Sequence, residues 1–237
     1  MPRLSIVFLI RSLDIGGAQR QLVTLARGLH RRGHAVLVVT FYDGGPLVEE
    51  LRQEGVPLAA LGKRSRWDLA GPLWRAARCI RRVRPDVVHG YLADANIFAT
   101  VLARLAPPAR AVWGVRASGL DLGRYPWGVR TLFRLSAFAA RSADLIIGNS
   151  ESGRADHVAA GYPAGRFTVI PNGIDTMVFR PDTTARAAAR QAFGLAPDAR
   201  VIGLVGRIDP MKGHAVFVDA AALLAAERGD VQFLCVG

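Results

Sequence analysis

Cysteine, lysine and acidic residues are all scarce in this 237-residue chain. Two cysteines, Cys79 and Cys235, exclude a fold stapled by disulfides and a zinc site built from thiolates. Both sit among apolar neighbours and read as small core residues. Long hydrophobic runs are missing as well. The first apolar run, 4–10, stops at Arg11, far short of the roughly 20 residues that a membrane-spanning helix needs. It lacks the charged start and small-residue cleavage site of a secretory leader, so the cytoplasm is the expected location. There are no internal repeats or low-complexity tracts. A hydrophobic content of 51% excludes a disordered or fibrous chain.

Arginine, by contrast, is plentiful. Lys+Arg number 31 against 19 Asp+Glu, a formal net charge of +12, and only Lys63 and Lys212 are lysine. Residues 1–110 hold 17 basic and 8 acidic residues, 111–180 hold 8 and 5, and 181–237 hold 6 and 6. The excess therefore lies wholly upstream of position 181. Part of it reads as compositional bias, so each cation needs its own reason.

At about 150 residues per domain, the length suggests one large domain and part of another. Short β-branched runs at 4–10, 35–41, 57–61, 86–89, 111–115, 144–147 and 166–170 read as strands. Helical periodicity fills 18–32, 46–54, 71–83, 93–105, 127–142 and 151–159. Apolar strands alternating with amphipathic helices predict an α/β fold, a doubly wound parallel sheet covered on both faces. Pro171-Asn172-Gly173 then punctuates the chain. A helix near 184–193 leads into a strand at 201–205, a loop, a helix at 214–227 and a strand at 231–236. One strand–helix–strand unit cannot cover both faces of its sheet, so the expectation is a second domain cut short. The predicted organisation is 1–170, a linker and helix at 171–198, and 199–237.

Ligands of open α/β sheets bind beyond the carboxyl ends of the strands. After the first strand, Asp14-Ile15-Gly16-Gly17 opens a long helix. Paired glycines admit a ligand to the backbone, and the helix start offers free N–H groups to a phosphate or sugar hydroxyl. A plain tight turn is the competing reading. In the second unit, Gly206-Arg207-Ile208-Asp209-Pro210-Met211-Lys212-Gly213 places a forked and a point cation five residues apart around a strand-to-helix turn. Together they can neutralise a diphosphate without a metal; the alternative is two solvated surface charges.

With these loops, Arg84-Pro85-Asp86-Val87-Val88-His89, Asp144–Glu151 and Val169–Asp175 together resemble glycosyltransferase family 4, in this order along essentially the whole chain. The resemblance implies a GT-B fold: a complete Rossmann-like acceptor-side domain followed by the start of a Rossmann-like domain for a nucleotide sugar. It also implies a retaining, metal-independent transfer of a hexosyl-type sugar from a UDP- or GDP-sugar to a polysaccharide or lipid-linked acceptor in cell-surface glycan biosynthesis. No cofactor is implied. Carried onto this sequence, the donor-binding set is Gly16, Gly17, Asn172, Gly206, Arg207 and Lys212, with Arg207 and Lys212 catalytic through the departing diphosphate. Arg116, His89 and Glu151 are acceptor-side candidates; Arg116 stands where many members carry histidine. The family's paired glutamates fall in a half-domain absent from this sequence. The chain alone is therefore expected to bind donor weakly and turn over little. Alternatives are a non-catalytic anion-binding or membrane-docking module, or another GT-B enzyme such as a nucleotide-sugar epimerase.

Other candidates keep two readings each. His89 ends a predicted strand and is either structural or cleft-facing, while His30, His34 and His157 read as surface residues and His214 as a helix cap. No histidine pair has metal spacing, and no metal is expected. Ser150 sits in a near match to a nucleophile elbow, but with Glu151 it reads equally as a helix N-cap. The basic stretch from Lys63 to Arg84 is a solvated face or docks on an anionic membrane at the inner face of the cytoplasmic membrane; nucleic acid is not expected, for want of a reading motif. Trp67, Trp74, Trp113 and Trp127 could stack on sugars, with core packing expected for most.

Overall fold

The computed structural model describes residues 2–65, 67–116, 127–209 and 212–237. Contacts divide the chain into two units, Met1–Gly173 and Ile174–Gly237.

The first unit is a seven-stranded sheet of order β3-β2-β1-β4-β5-β6-β7, with every neighbouring pair parallel. Its strands are β1 (Ser5–Ile10), β2 (Ala35–Thr40), β3 (Leu58–Ala60), β4 (Val87–Tyr91), β5 (Arg110–Val115), β6 (Leu145–Gly148) and β7 (Phe167–Val169). The helices are α1 (Gly17–Arg31), α2 (Val48–Gln53), α3 (Ala70–Val83), α4 (Ala93–Arg104), α5 (Trp127–Ala139) and α6 (Glu151–Ala159). Right-handed crossovers put helices on opposite faces when the chain steps in opposite directions along the sheet. Strand alternation shows that division. Ile6, Phe8 and Ile10 pack under α1 with Leu22, Val23 and Ala26. Val7, Leu9 and Val88 pack under α3 and α4 with Ile80, Ala99 and Leu102. Trp113, Val115 and Ile146 continue that second face beneath α5 with Ala137. Valine and isoleucine runs buried on both faces are what a parallel interior strand requires.

Several expectations need correction. Strand β4 continues to Tyr91, so His89 lies inside the strand, 5% exposed, and does not end it. His157 is buried rather than on the surface: its Nδ1 lies 2.7 Å from the Gly153 carbonyl and its ring packs edge-on to Tyr162. Of the four tryptophans only Trp113 is core; Trp67, Trp74 and Trp127 are exposed. Cys235 is exposed rather than a core residue. Arg66, within the basic stretch, lies outside the described residues.

The second unit holds α7 (Thr183–Ala192), β8 (Arg200–Val205), α8 (His214–Glu227) and β9 (Val231–Val236). Strands β8 and β9 form a parallel pair. Asp182 caps α7 through two backbone N–H groups. No described residue of this unit is buried.

Candidate functional site

The sheet order reverses between β1 and β4, the switch point where open α/β sheets bind ligands. The Gly-Gly loop stands there. Gly16 is the N-cap of α1 at φ −177°, ordinary extended backbone, and no side chain caps the helix. A Cβ on Gly17 would meet nothing within 4 Å, and one on Gly16 would meet only the movable amide end of Gln19. Neither glycine is demanded by the chain's own backbone or packing. The first N–H groups of α1 thus carry no side-chain cap, which leaves them to a ligand that approaches the backbone.

At the head of β4, Gly90 is dictated by packing: a Cβ would lie 2.5 Å from the Ala95 carbonyl oxygen. Leu92 follows at φ 73°, a conformation rare for a side-chain-bearing residue and costing on the order of 1–3 kcal/mol. Asn96 holds this strained turn by donating to the Gly114 carbonyl (3.2 Å) and accepting from the Gly114 N–H (3.1 Å).

Arg116, at the end of β5, donates to the Tyr91 hydroxyl (2.9 Å) and to Asn172 Oδ1 (3.0 Å), and lies 4.8 Å from the Tyr91 ring centroid. Gln21 of α1 clamps the same loop: its Nε2 donates to the Gly173 carbonyl (2.8 Å) and its Oε1 accepts from the Gly173 N–H (3.0 Å). A cavity of about 600 Å³ opens between α1 and this network, walled by Leu25, Ile147 and Pro171 and reached by His89, Tyr91 and Arg116. The His89 Nε2 has no hydrogen-bond partner among the described residues. Burial, with the Arg116 charge adding to it, lowers the His89 pKa to about 3. It is therefore a neutral imidazole, able to hydrogen-bond a hydroxyl but not to pair with an anion. Burial pushes the Tyr91 phenol up, against the Arg116 charge and hydrogen bond.

The structure thus joins Arg116, His89 and Asn172 in one network. Sequence reasoning missed its other members, Gln21, Tyr91 and Asn96. Only the two-residue alternation of Tyr91 with His89 could have pointed to one of them. Glu151 is elsewhere, exposed in the first turn of α6 and 3.5 Å from Arg154. Ser150 caps that helix by accepting from the Gly153 N–H (3.0 Å), the role that displaces the nucleophile reading. Ala117 and Ser118, beyond Arg116, lie outside the described residues.

In the second unit, Gly206 follows β8 and the Lys212 stem runs past it, 3.7 Å from where a Cβ would stand. Gly213, at φ 69°, is the N-cap of α8. Arg207 and Lys212 are exposed, and neither has an ion pair among the described residues. Pro210 and Met211 between them are outside the described residues. Among the described residues, no group of three or more His, Cys, Asp or Glu could hold a metal ion. A second cavity, about 580 Å³, opens at the amino ends of the strands; of the four arginines that line it, Arg110 pairs with Asp144 and Arg166 donates to the carbonyls of Arg141 and Ala143, while Arg104 and Arg141 have no ion pair among the described residues.

A sequence profile of Glycosyltransferase Family 4 matches residues 15–178. The D-inositol 3-phosphate glycosyltransferase of Jonesia denitrificans is 28% identical over 246 residues, covering 92% of this chain and 56% of that protein. Anabaena HepE, solved in complex with UDP-glucose, superposes with a TM-score of 0.83 at 24% identity, over 98% of this chain and 60% of that one. UDP-GlcNAc 2-epimerase from Neisseria meningitidis, bound to UDP-GlcNAc, superposes with a TM-score of 0.59 at 14% identity, over 99% of this chain and 65% of that one. The fold is therefore of the GT-B type, and the chain spans little more than half the length of the Jonesia and Anabaena proteins.

Proposed function

The chain belongs to glycosyltransferase family 4, and from that premise we propose that it carries the acceptor-side domain and the diphosphate-binding loop of a glycosyltransferase. The donor is a nucleotide sugar such as a UDP- or GDP-sugar, and the acceptor a polysaccharide or lipid-linked glycan of the cell surface. The observation that carries this reading is the pair of exposed cations Arg207 and Lys212 around the amino end of α8, neither with an ion pair among the described residues, in a unit with no net charge to favour cations by composition. A sugar–phosphate bond breaking at C1 leaves charge on the nucleoside diphosphate, and fixed cations with amide dipoles stabilise that charge as it develops. The solved relative named for its complex with UDP and glucose supports such a donor.

We further propose retention without a metal. The C1–phosphate bond breaks and the acceptor oxygen bonds C1 on the same face, while the acceptor proton passes to the departing phosphate oxygen. No protein nucleophile is then needed. Gly16 and Gly17 receive phosphate or acceptor from the first unit, and neutral His89 with Arg116 orients acceptor hydroxyls. Free thiols at Cys79 and Cys235 fit a reducing compartment such as the cytoplasm.

Titration of the chain with UDP, GDP and inorganic pyrophosphate, read from the Gly206 and Gly213 amide resonances, tests the loop. Lys212→Ala and Arg207→Ala should each weaken binding on the order of tenfold or more, as loss of a charge-assisted contact predicts. Unchanged affinity would remove the assigned role. In a polypeptide of its relatives' full length, Lys212→Ala should abolish transfer, and transfer should survive EDTA.

A further inference from the structure

Helices α3, α4 and α5 cover one face of the sheet, and together carry seven arginines against a single acid, Asp94. The opposite face is different. There Arg20 and Arg27 pair with Glu50, and Arg27 and Arg31 pair with Glu54. Of the seven, Arg75 is committed to the Leu61 and Gly62 carbonyls. The other six, Arg78, Arg81, Arg82, Arg104, Arg130 and Arg134, have no ion pair among the described residues. Helix dipoles account for Arg81, Arg82 and Arg104 in last turns, but not for Arg78, Arg130 or Arg134.

Large apolar side chains stand among these cations. Trp74, Trp127 and Phe138 are 62%, 76% and 73% exposed, with Val101, Leu105 and Leu135 also uncovered. The spacing is repeated on the two outer helices. Trp74 and Arg78 are four residues apart on α3, while Trp127, Arg130, Arg134 and Phe138 follow three- and four-residue steps on α5, so each set shares one helix stripe. The Arg78 guanidinium lies 5.7 Å from the Trp74 ring centroid.

We propose that this outer face is a docking surface for an anionic lipid bilayer. Tryptophan and phenylalanine belong at the headgroup boundary, arginine stems bury while their heads reach lipid phosphates, and each cation adds attraction to an anionic leaflet. Nucleic acid would use the arginines but leave the exposed leucine, valine and phenylalanine without a partner. The inference does not depend on the transfer reaction.

Flotation of the chain with vesicles of phosphatidylcholine alone, and mixed with phosphatidylglycerol, tests it. Binding should need the anionic lipid and weaken with salt. Neutralising Arg78, Arg130 and Arg134 to Gln should lower partitioning about a hundredfold, at roughly fivefold per charge. Neutralising Arg20, Arg31 and Arg52, exposed on α1 and α2 over the opposite face of the same sheet, should change it less than about threefold, since distant charges are screened. Circular dichroism should show each variant folded. Brominated lipid should quench Trp74 and Trp127 fluorescence in the unmodified chain, while buried Trp113 stays unquenched. An equal loss from the control triple, absent quenching, or tighter binding to a duplex oligonucleotide than to vesicles would overturn the proposal.

Discussion

The two units are written in the same strand–helix pattern, yet only the first has a core. Its interior strands are buried along most of their length, whereas residues 174–237 contain no buried side chain among those described. Helix α8 makes the contrast plain. Val216, Val218 and Leu223 leave it apolar around its circumference and exposed, although such a helix is suited to burial. Local pattern sets where helices and strands form; a second layer decides whether they are stabilised. The largest expected effect follows from this difference. Trp113→Ala empties a fully buried site and removes the indole N–H that donates to the Thr100 hydroxyl at 2.8 Å, so it should cost about 3–5 kcal/mol in urea unfolding. Leu223→Ala should stay within about 0.5 kcal/mol. A comparable loss from Leu223→Ala would mean that the second unit hides a core of its own.

Charge separates the units as well. Residues 1–173 hold 24 basic and 12 acidic residues, and 174–237 hold 7 and 7. Acid should therefore act on the first unit through its buried groups. The His89 pKa falls from 6.5 to about 3 through burial and then Arg116, and burial also lowers His157, against its Gly153 hydrogen bond and Asp156. With a lowered folded pKa, the folded chain stays unprotonated while the unfolded chain takes the proton. The stabilisation is present above about 6.5 and lost as pH falls toward 3. Glu54, held at about 2 by Arg31 and Arg27, adds loss only below its ordinary 4.5. Between these values the slope belongs to the histidines, at most about 1.4 kcal/mol per pH unit for each. His89→Leu should flatten it in pH-dependent unfolding; an unchanged slope would mean that His89 is not the titrating group.

The same division marks what could be read from sequence. Every element of both units is legible, because β-branched runs and helical periodicity are local signals. Burial is not local. Trp74 and Trp127 look like core residues until the helices are placed and their stripes face outward. His157 looks exposed until Phe133, Tyr162 and Phe167 close around it. In the site, the loop glycines and the Arg207–Lys212 pair are contiguous motifs and can be seen in the sequence. The Gln21–Gly173 clamp joins residues 152 positions apart and leaves no trace in the spacing. Arg116 was visible only through a family resemblance, and its partners Tyr91 and Asn172 required the folded chain.

The smallest effect bears on whether a glycine serves the fold or the ligand. Gly17 begins α1 with nothing within 4 Å of a built Cβ, so Gly17→Ala should fit without strain and raise stability by about a few tenths of a kcal/mol, as alanine does in helices. Gly128, in the first turn of α5, is equally unobstructed and should respond alike. The two should part in function. A methyl group on Gly17 stands in the open space before the free N–H groups of α1, where a bound phosphate or hydroxyl would lie. In a polypeptide of full relative length, Gly17→Ala should therefore cut transfer tenfold or more, on the order of one lost close contact, while Gly128→Ala leaves it unchanged. Full transfer by Gly17→Ala would reduce the Gly-Gly loop to a turn, and would leave the Arg207–Lys212 loop as the remaining candidate phosphate site.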